Sequence, residues 1–216
     1  MVTVRGSDES VEARLRAGQL ACWCGGRLRP WGHARRRRVV TFAGPVAVRP
    51  RRSRCAGCGR THVLLPSWLL SRRRYAVAVI FAALALRAAG LKLAAVAARL
   101  RLPSPGGGWW SVPASTAASW LARFAGHAGR LRQLFTAVLP IADPQARAVA
   151  AAGSPAADAL AVLEAVTAGL RRRFGMDQLA AHEVAAHLTA GMLLAPSLAV
   201  IPGNTSLSWL AALTSS

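Results

Sequence analysis

Acidic residues are scarce in this sequence, and lysine is almost absent. Among 216 residues there are 8 Asp and Glu against 28 Lys and Arg, which gives a formal net charge of +20. Every cation except Lys92 is an arginine. An ordinary enzyme of this size does not need such an imbalance, which indicates a polyanionic partner, nucleic acid first and an anionic membrane surface second. A GC-rich coding bias also enriches arginine and alanine, so the placement of the charge carries more weight than its total.

The acidic residues are missing from one part of the chain in particular. Residues 75–140 contain 7 cations and no acid, whereas residues 1–74 contain 17 cations and 3 acids. Residues 141–216 contain 4 cations and 5 acids. A coding bias would act along the whole chain, but the positive excess ends near residue 140. The first two thirds are therefore predicted to face the polyanion, and the last third to be an ordinary packed segment.

Long hydrophobic runs are also lacking, although the mean hydropathy is +0.32. The best candidate for a membrane span, Tyr75 to Leu86, has 12 residues, and a span needs about 20. The segment from Leu188 to Ile201 is short and is broken by Pro196. The first 20 residues contain three acids and no apolar run, which argues against a secretory signal. We expect a cytoplasmic, nucleoid-associated protein that does not bind membranes.

Only four cysteines are present, and they form two close pairs: Cys22 with Cys24, and Cys55 with Cys58. In a reducing compartment this spacing favours metal binding over disulfides. Zinc prefers four thiolates in a tetrahedron, and a Cys-x-x-Cys-Gly turn supplies two of them. We therefore predict one structural Zn²⁺ held by all four cysteines in a zinc ribbon. Because the first pair is one residue short, His33 and His62 are possible substitute ligands, and a metal-free ribbon with free thiols stays open.

Residues suited to catalysis are sparse. A transposase-type nuclease needs three carboxylates that hold two metal ions, and residues 75–140 offer none. His182, Glu183 and His187 resemble a metalloprotease motif, but a spacing of five residues puts the histidines roughly 140° apart on a helix. The Gly106–Gly108 run lacks the lysine of a phosphate-binding loop. We therefore expect a binding protein rather than an enzyme.

The composition predicts a mainly α protein with a small β zinc ribbon. The ribbon is expected at the N-terminal side, followed by a helix-turn-helix-type helical domain and then by C-terminal helices. The predicted boundaries are a disordered N-terminus at 1–17, a zinc-ribbon-like domain at 18–66, a helix-turn-helix-like helical domain at 67–139, a C-terminal helical segment at 140–195 and a loose tail at 196–216.

Individual elements follow from apolar periodicity and from Gly and Pro positions. Short strands are predicted at Val39–Phe42, Val46–Val48 and His62–Leu65, and helices at Arg73–Ala89, Leu91–Leu102, Ala114–Leu139, Pro155–Phe174 and from Asp177 to about Ala195. Residues 103–113 read as a loop by their Gly and Pro content. The helix at Pro155–Phe174 has the best local signals, since Ser154 can cap it and Gly175 can end it.

The helix predicted at Ala114–Leu139 is a candidate for DNA recognition. Its core face carries Ala117, Trp120, Leu121 and Phe124, and its opposite face carries small hydroxyls and one arginine. A plain helical bundle shares this periodicity, and the connection from Leu102 is longer than the usual tight turn. The residues predicted to contact DNA are Arg35, Arg36, Arg37, Arg38, Arg51, Arg52, Arg54, Arg72, Arg73, Arg74, Ser115, Thr116, Ser119 and Arg123.

Four sequence blocks together resemble a set of uncharacterised actinobacterial proteins that are often labelled transposase-like or insertion-element-associated. The blocks are Cys22–His33, Arg54–Trp68, Ala97–Leu100 and Pro113–Phe124. The resemblance covers about residues 18–125 and implies an N-terminal zinc ribbon followed by a helix-turn-helix. It further implies DNA binding, the four cysteines as zinc ligands and Ala114–Phe124 as the recognition helix. The shortened first cysteine pair and the long insertion at 103–113 depart from the family pattern.

These observations predict a DNA-binding protein with a zinc ribbon and a helix-turn-helix, derived from a mobile element or regulatory, without a catalytic domain of its own. The expected partner is duplex DNA, and the C-terminal helices can form a homodimer interface. Two alternatives remain open from the sequence. One is a truncated transposase or nuclease subunit, and the other is an RNA-binding ribbon protein.

Overall fold

The computed structural model describes residues 1–104 and 106–195, so the loose tail predicted at 196–216 lies outside the described residues. The elements in chain order are β1 (Val2–Val4), α1 (Asp8–Arg16), β2 (Leu28–His33), β3 (Arg37–Thr41), β4 (Gly44–Val48), β5 (Arg51–Cys55), β6 (Thr61–Pro66), α2 (Val77–Ala88), α3 (Leu93–Arg99), β7 (Arg101–Pro103), β8 (Trp109–Ser111), α4 (Ala114–Ala142), α5 (Pro155–Phe174) and α6 (Ala181–Leu188). A β part near the cysteines is followed by helices, as expected, but strands also occur outside it.

The N-terminal segment 1–17, for which the sequence predicts disorder, contains strand β1 and helix α1. Strand β1 pairs in parallel with β6, and Ser7 caps α1 by accepting a hydrogen bond from the Ser10 N–H at 3.2 Å. The reason for these elements is tertiary. The apolar side chains of Val11 and Leu15 are buried with Leu28 from β2, in a small core that the local sequence does not reveal.

The β part is a four-stranded sheet in the order β1-β6-β5-β2, extended by a two-stranded arm. Strands β2 and β5 are antiparallel neighbours, and the arm formed by β3 and β4 continues from them. The Ala34 N–H donates to the Pro50 carbonyl at 2.7 Å, which links the two stretches across the break. Residues 28–55 therefore form one long hairpin that turns at Phe42 and Ala43.

Strand β6 separates two hydrophobic cores. Its Leu64 belongs to the small core of the β part, and the next residue, Leu65, belongs to the large core of the helical part. This follows from strand geometry, since successive side chains point to opposite faces. The arm also joins the large core, because Val39 and Val40 of β3 are buried there. The β and helical parts therefore share buried surface.

The connection between α3 and α4 is a β-hairpin rather than the predicted loop. Helix α3 ends at Arg99, three residues before the predicted end, and β7 pairs with β8 in an antiparallel register that includes Leu102 opposite Trp110. Trp110 contacts Tyr75, whose ring also lies 4.9 Å from Trp120 of α4 in an edge-to-face arrangement. This aromatic cluster fixes the hairpin between α4 and the segment that joins β6 to α2, residues 67–76, which we call the junction segment.

Helix α4 runs without a break from Ala114 to Ala142, through both Gly126 and Gly129. The predicted core face is confirmed at Ala117, Trp120 and Phe124, which are buried, while Leu121 is half-buried. Helix α4 packs most extensively against α5.

Helix α5 matches its predicted bounds and signals. The Ser154 hydroxyl accepts a hydrogen bond from the Ala157 N–H at 3.2 Å, and Gly175 ends the helix in the left-handed conformation at φ +64°. Gly169 lies where α5 meets the end of α4, because a Cβ there would stand 2.9 Å from the Asp143 Cβ.

The last predicted helix is shorter than expected. Helix α6 covers Ala181–Leu188, so neither the start near Asp177 nor the end near Ala195 was right. Its N-terminal turn is capped by Glu183, whose carboxylate accepts from the Ala180 N–H at 3.5 Å, and Asp177 is exposed. Beyond α6 the chain returns to the junction segment, since the Ser71 N–H donates to the Gly191 carbonyl at 2.8 Å.

Candidate functional site

The four cysteine sulfurs converge on one point, as the sequence predicts. Their Sγ atoms all lie within 4.8 Å of one another, with 3.7 Å between Cys22 and Cys58 and 3.4 Å between Cys24 and Cys55. A tetrahedral Zn²⁺ with bonds of about 2.3 Å would separate its sulfurs by about 3.8 Å. The four sulfurs therefore can hold one metal ion, and the donor set suits a closed structural site.

The one-residue difference between the cysteine pairs is absorbed by the turns that carry them. In the first turn the Cys22 N–H donates to the Gly26 carbonyl at 2.8 Å, and in the second the Cys55 N–H donates to the Arg60 carbonyl at 2.9 Å. The first turn thus closes over one residue fewer than the second. The shorter turn still directs Cys24 toward Cys55, so the departure from the Cys-x-x-Cys pattern does not prevent convergence.

The two turns touch each other at Gly26. A Cβ built on Gly26 would lie 2.7 Å from the Cys55 Sγ and 3.0 Å from the Gly57 backbone nitrogen. Real Cβ atoms do not approach other atoms this closely. The position therefore needs a residue without a side chain, because the facing turn occupies the space.

The local environment lowers the pKa of one thiol and raises that of another. The backbone N–H of Cys58, followed by that of Gly57, donates to the Cys55 Sγ and lowers the pKa of Cys55 to about 6. Burial raises the pKa of Cys22 to about 12. Backbone N–H groups that point at a sulfur favour the thiolate, which is the form that binds metals.

The two histidines proposed as substitute ligands lie in different places. Nε2 of His62 is 3.2 Å from the Cys22 Sγ, and the His62 ring is buried, which lowers the pKa of its imidazole. His33 stands at the far end of β2, beside Arg51, and is exposed. Because four sulfurs already converge, His62 is placed to contact a ligand sulfur rather than to replace one.

Three of the arginines predicted to contact DNA are half-buried and held by the protein. Arg51 is held by Glu12 at 2.8 Å, Arg37 donates to the Leu70 carbonyl at 3.3 Å, and Arg73 donates to the Leu194 carbonyl. Arg52 is also half-buried, and the remaining seven are exposed: Arg35, Arg36, Arg38, Arg54, Arg72, Arg74 and Arg123. Within residues 1–104 and 106–195, only Arg51 of the predicted set has a carboxylate oxygen within 4.0 Å.

Several of these arginines are brought together at the junction of the two parts. The Arg74 carbonyl accepts from the Val40 N–H of β3 at 2.8 Å, so the junction segment runs beside the arm. Burial lowers the pKa of Arg73, and the nearby charge of Arg123 on α4 lowers it further. The arm, the junction segment and the exposed side of α4 therefore contribute positive charge to one region.

The small polar residues of α4 lie on its exposed side as predicted, with one qualification at Thr116. Ser115, Ser119 and Arg123 are exposed, and Thr116 is half-buried. The Arg123 Nε donates to the Ser119 hydroxyl at 3.4 Å. Helix α4 has no side-chain cap and no acid in its first turn. The partial positive charge of its N-terminal N–H groups is therefore not compensated within the helix.

The histidines of the His182–His187 motif do not form a metal site. His187 is buried and its Nδ1 donates to the Glu183 carbonyl at 3.1 Å, while the His182 ring faces Phe81. The Glu183 carboxylate accepts from the Ser67 hydroxyl at 2.9 Å and pairs with Arg5 at 3.9 Å. Glu183 therefore joins α6 to the β part. Across the described ranges, the four cysteines are the one group of three or more clustered metal-binding side chains.

Three tryptophans are exposed, and two of them lie against arginines: Trp31 against Arg54 and Trp109 against Arg101. Trp23, Trp31 and Trp109 expose 49%, 51% and 61% of their surface. None of the three was among the predicted contacts, and Trp109 falls in a Gly-rich segment that reads as a loop from the sequence. Its neighbour Trp110 turns inward on the β7–β8 hairpin, and the alternation of a strand sends Trp109 outward, beside Arg101.

None of the helices among the described residues has the length and apolar character that a membrane span requires.

Comparison with known proteins gives one similarity. A family model described as a domain of unknown function, DUF6431, matches residues 21–96. The match begins at the first cysteine turn and ends within α3, so it includes all four cysteines, the arm and α2. No curated protein and no solved structure matches the chain. The similarity therefore links the cysteine site to the first helices without naming an activity.

Proposed function

We propose that the chain is a DNA-binding protein in which a zinc-stabilised β part and the first helices form one basic surface for duplex DNA. The observation that carries this proposal is a set of exposed arginines that have no carboxylate oxygen within 4.0 Å among the described residues. These arginines extend from the β part through the arm and the junction segment to α4. Clustered guanidinium groups repel one another unless an anion neutralises them, and a phosphate backbone provides such anions at regular spacing.

Zinc acts in this proposal as a structural ion. The small core of the β part contains eight buried residues, two of which are Cys22 and Cys55, so it is too small to hold the strands firmly without a further link. A metal bound by all four cysteines would join the two turns and supply that link. The resemblance to transposase-like proteins favours a mobile-element or regulatory origin, and we propose that the chain binds DNA without cleaving it.

The DNA proposal is tested by measuring duplex affinity as a function of salt. Each phosphate contact contributes about −0.9 to the slope of log K against log salt, so several contacts predict a slope of about −4 or steeper. A nearly flat dependence would refute the proposal. Competition with structured RNA at each salt concentration separates DNA binding from RNA binding, and a labelled duplex incubated with Mg²⁺ reveals any strand cleavage.

The zinc proposal is tested by the metal content of the purified protein. We expect about one zinc per chain. Cys55→Ser should remove it, because serine replaces the thiolate that receives two backbone N–H groups. A folded wild-type protein that contains no metal would overturn this part of the proposal.

A further inference from the structure

One face of the β2-β5-β6 sheet is exposed and carries an unusual set of side chains. Cα pairing places Arg29 opposite Arg54, and Arg54 opposite Thr61, and residues that are directly opposite share a face. All three are exposed. The opposite face, with Leu28 and Cys55, is buried in the small core beneath α1. The sheet thus presents one free, basic face, which we call the outer face.

Trp31 lies on this outer face because it stands two residues after Arg29 on β2, and alternate residues of a strand share a face. The register between β2 and β5 shifts between Pro30 and His33, and Gly32 adopts φ +98°, which favours glycine. The Arg54 guanidinium then lies 4.9 Å from the centroid of the Trp31 ring. A tryptophan that is half exposed on this face is accessible for stacking.

Arg54 holds the Trp31 ring from one side and is itself tethered. Its Nε donates to the Gly59 carbonyl at 3.2 Å, in the turn that follows Cys58. The guanidinium is therefore placed by a backbone contact as well as by the ring, which reduces the freedom of both side chains. A ring that is already oriented loses less conformational entropy when a ligand stacks on it.

The charge of the outer face specifies an anionic ligand. Arg29 and Arg54 stand directly opposite each other, and like charges in that position destabilise a sheet unless an anion lies between them. The acidic residues nearest in sequence to Arg29 and Arg54 lie on α1. One of them, Glu12, already pairs with Arg16 and Arg51. Arg51 lies opposite His33, at the other end of β2 from Arg29. A flat aromatic ring bordered by arginines matches a nucleobase with its phosphates.

We propose that the outer face binds the unpaired bases of a single-stranded DNA segment adjoining the duplex, with Trp31 as the stacking platform and Arg29 and Arg54 as phosphate contacts. Bases within a duplex are stacked on their neighbours and do not offer a free face, so Trp31 selects unpaired nucleotides. On β6 this same face continues to Leu65, which is packed in the core of the helical part. The outer face thus adjoins the helical part. This proposal rests on the proposed function, because the duplex that carries the single strand would be bound by the basic surface that extends to the helical part.

The experiment compares three DNA ligands at one salt concentration: a blunt duplex, the same duplex with a six-nucleotide overhang, and the same duplex with an abasic overhang. The abasic overhang keeps the added phosphates and removes the bases. We expect the wild-type protein to bind the natural overhang about tenfold more tightly than the abasic one, from the stacking of one or two bases. Trp31→Ala should bind both overhangs equally, and Trp31→Phe should keep most of the preference.

Matched variants separate this site from other surfaces. Trp109→Ala removes the more exposed tryptophan of the β7–β8 hairpin and should leave the preference unchanged. Loss of the preference in Trp109→Ala but not in Trp31→Ala would overturn the assignment, as would equal affinity of the wild type for natural and abasic overhangs. Tighter binding of an RNA overhang than of a DNA overhang would refute the choice of DNA. Failure to bind the blunt duplex would instead refute the proposed function itself.

Discussion

Nε2 of His62 lies 3.2 Å from Sγ of Cys22 in the buried part of the cysteine site. Both residues are on the side of the site that adjoins the small core, and Nδ1 of His62 has no hydrogen-bond partner among the described residues. An imidazole N–H that donates to a thiolate stabilises its negative charge, in the same way as the backbone N–H groups do at Cys55.

From this contact we predict that His62→Phe weakens zinc affinity about 10- to 100-fold without changing the stoichiometry. The phenyl ring fills a similar volume and removes the donor. Competition with a chromogenic chelator measures the affinity. If the variant instead binds no zinc at all, His62 is a ligand rather than a neighbour of one. His33→Phe, at the far end of β2, serves as the control and should bind zinc normally.

The contact between the two cysteine turns gives a second prediction. Gly26→Ala should lose zinc or bind it far more weakly, because the added Cβ would lie 2.7 Å from the Cys55 Sγ. Gly57→Ala is the matched control in the facing turn. There the nearest atom to the new Cβ would be the Gly26 Cα at 3.5 Å, an ordinary contact distance. Metal content after dialysis against a weak chelator distinguishes the two, and equal retention of zinc would contradict the model of touching turns.

Neighbouring arginines on β3 give a third prediction, since one is held and the other is exposed. Arg37 is half-buried and donates to the Leu70 carbonyl, whereas Arg38 is exposed. Arg38→Ala should weaken duplex binding and reduce the steepness of the salt dependence by about 1, as expected for the loss of one phosphate contact. Fluorescence anisotropy with labelled duplex at several salt concentrations measures both.

Arg37→Ala should behave differently. It removes a hydrogen bond to a backbone carbonyl, so it should lower the free energy of unfolding by about 1 kcal/mol and leave the salt slope unchanged. If both alanine variants change the slope equally, then Arg37 also reaches phosphates and the distinction between held and exposed arginines is wrong.

Sequence reasoning succeeded where the signals were local. Helix α5 was predicted at its observed bounds because Ser154, Pro155 and Gly175 each act within one turn of a helix end. The convergence of the cysteines was also predictable, since each pair belongs to one tight turn. The exposed and buried sides of the first turns of α4 were predictable because its apolar residues recur with a period of 3.6 residues.

Prediction from the sequence failed where residues that are distant along the chain decide the structure. Strand β1 and helix α1 exist because Val4 and Leu15 find partners such as Leu28 and Leu64, which lie far along the chain. Glu12 holds Arg51 across 39 residues, so no local pattern could remove Arg51 from the predicted contacts. The β7–β8 hairpin was hidden in the same way, because Trp110 is fixed by Tyr75 rather than by its Gly-rich neighbours.

The buried imidazole of His187 gives a fourth prediction, on pH and stability. Burial lowers the pKa of His187 to about 4, helped by the nearby charges of Arg5 and Arg14 and opposed by hydrogen bonding to the Glu183 backbone and by the charge of the Glu183 carboxylate. The unfolded chain keeps a histidine pKa near 6.5. Between these values the unfolded state binds a proton that the native state does not, so stability is complete above about pH 6.5 and falls as the pH falls.

Because of this histidine, the free energy of unfolding should fall by about 2 kcal/mol between pH 7 and pH 5. This pH interval lies above the range in which most carboxylates titrate. Urea unfolding at several pH values measures it. His187→Leu removes the titrating group and should flatten the dependence in that interval, whereas His33→Gln, which changes an exposed histidine, should leave it as in the wild type. Burial also lowers the pKa of His182, which acts in the same direction, so the double variant with His182→Leu should be flatter still. A wild-type stability that does not change between pH 7 and pH 5 would show that His187 is reached by water in the native state.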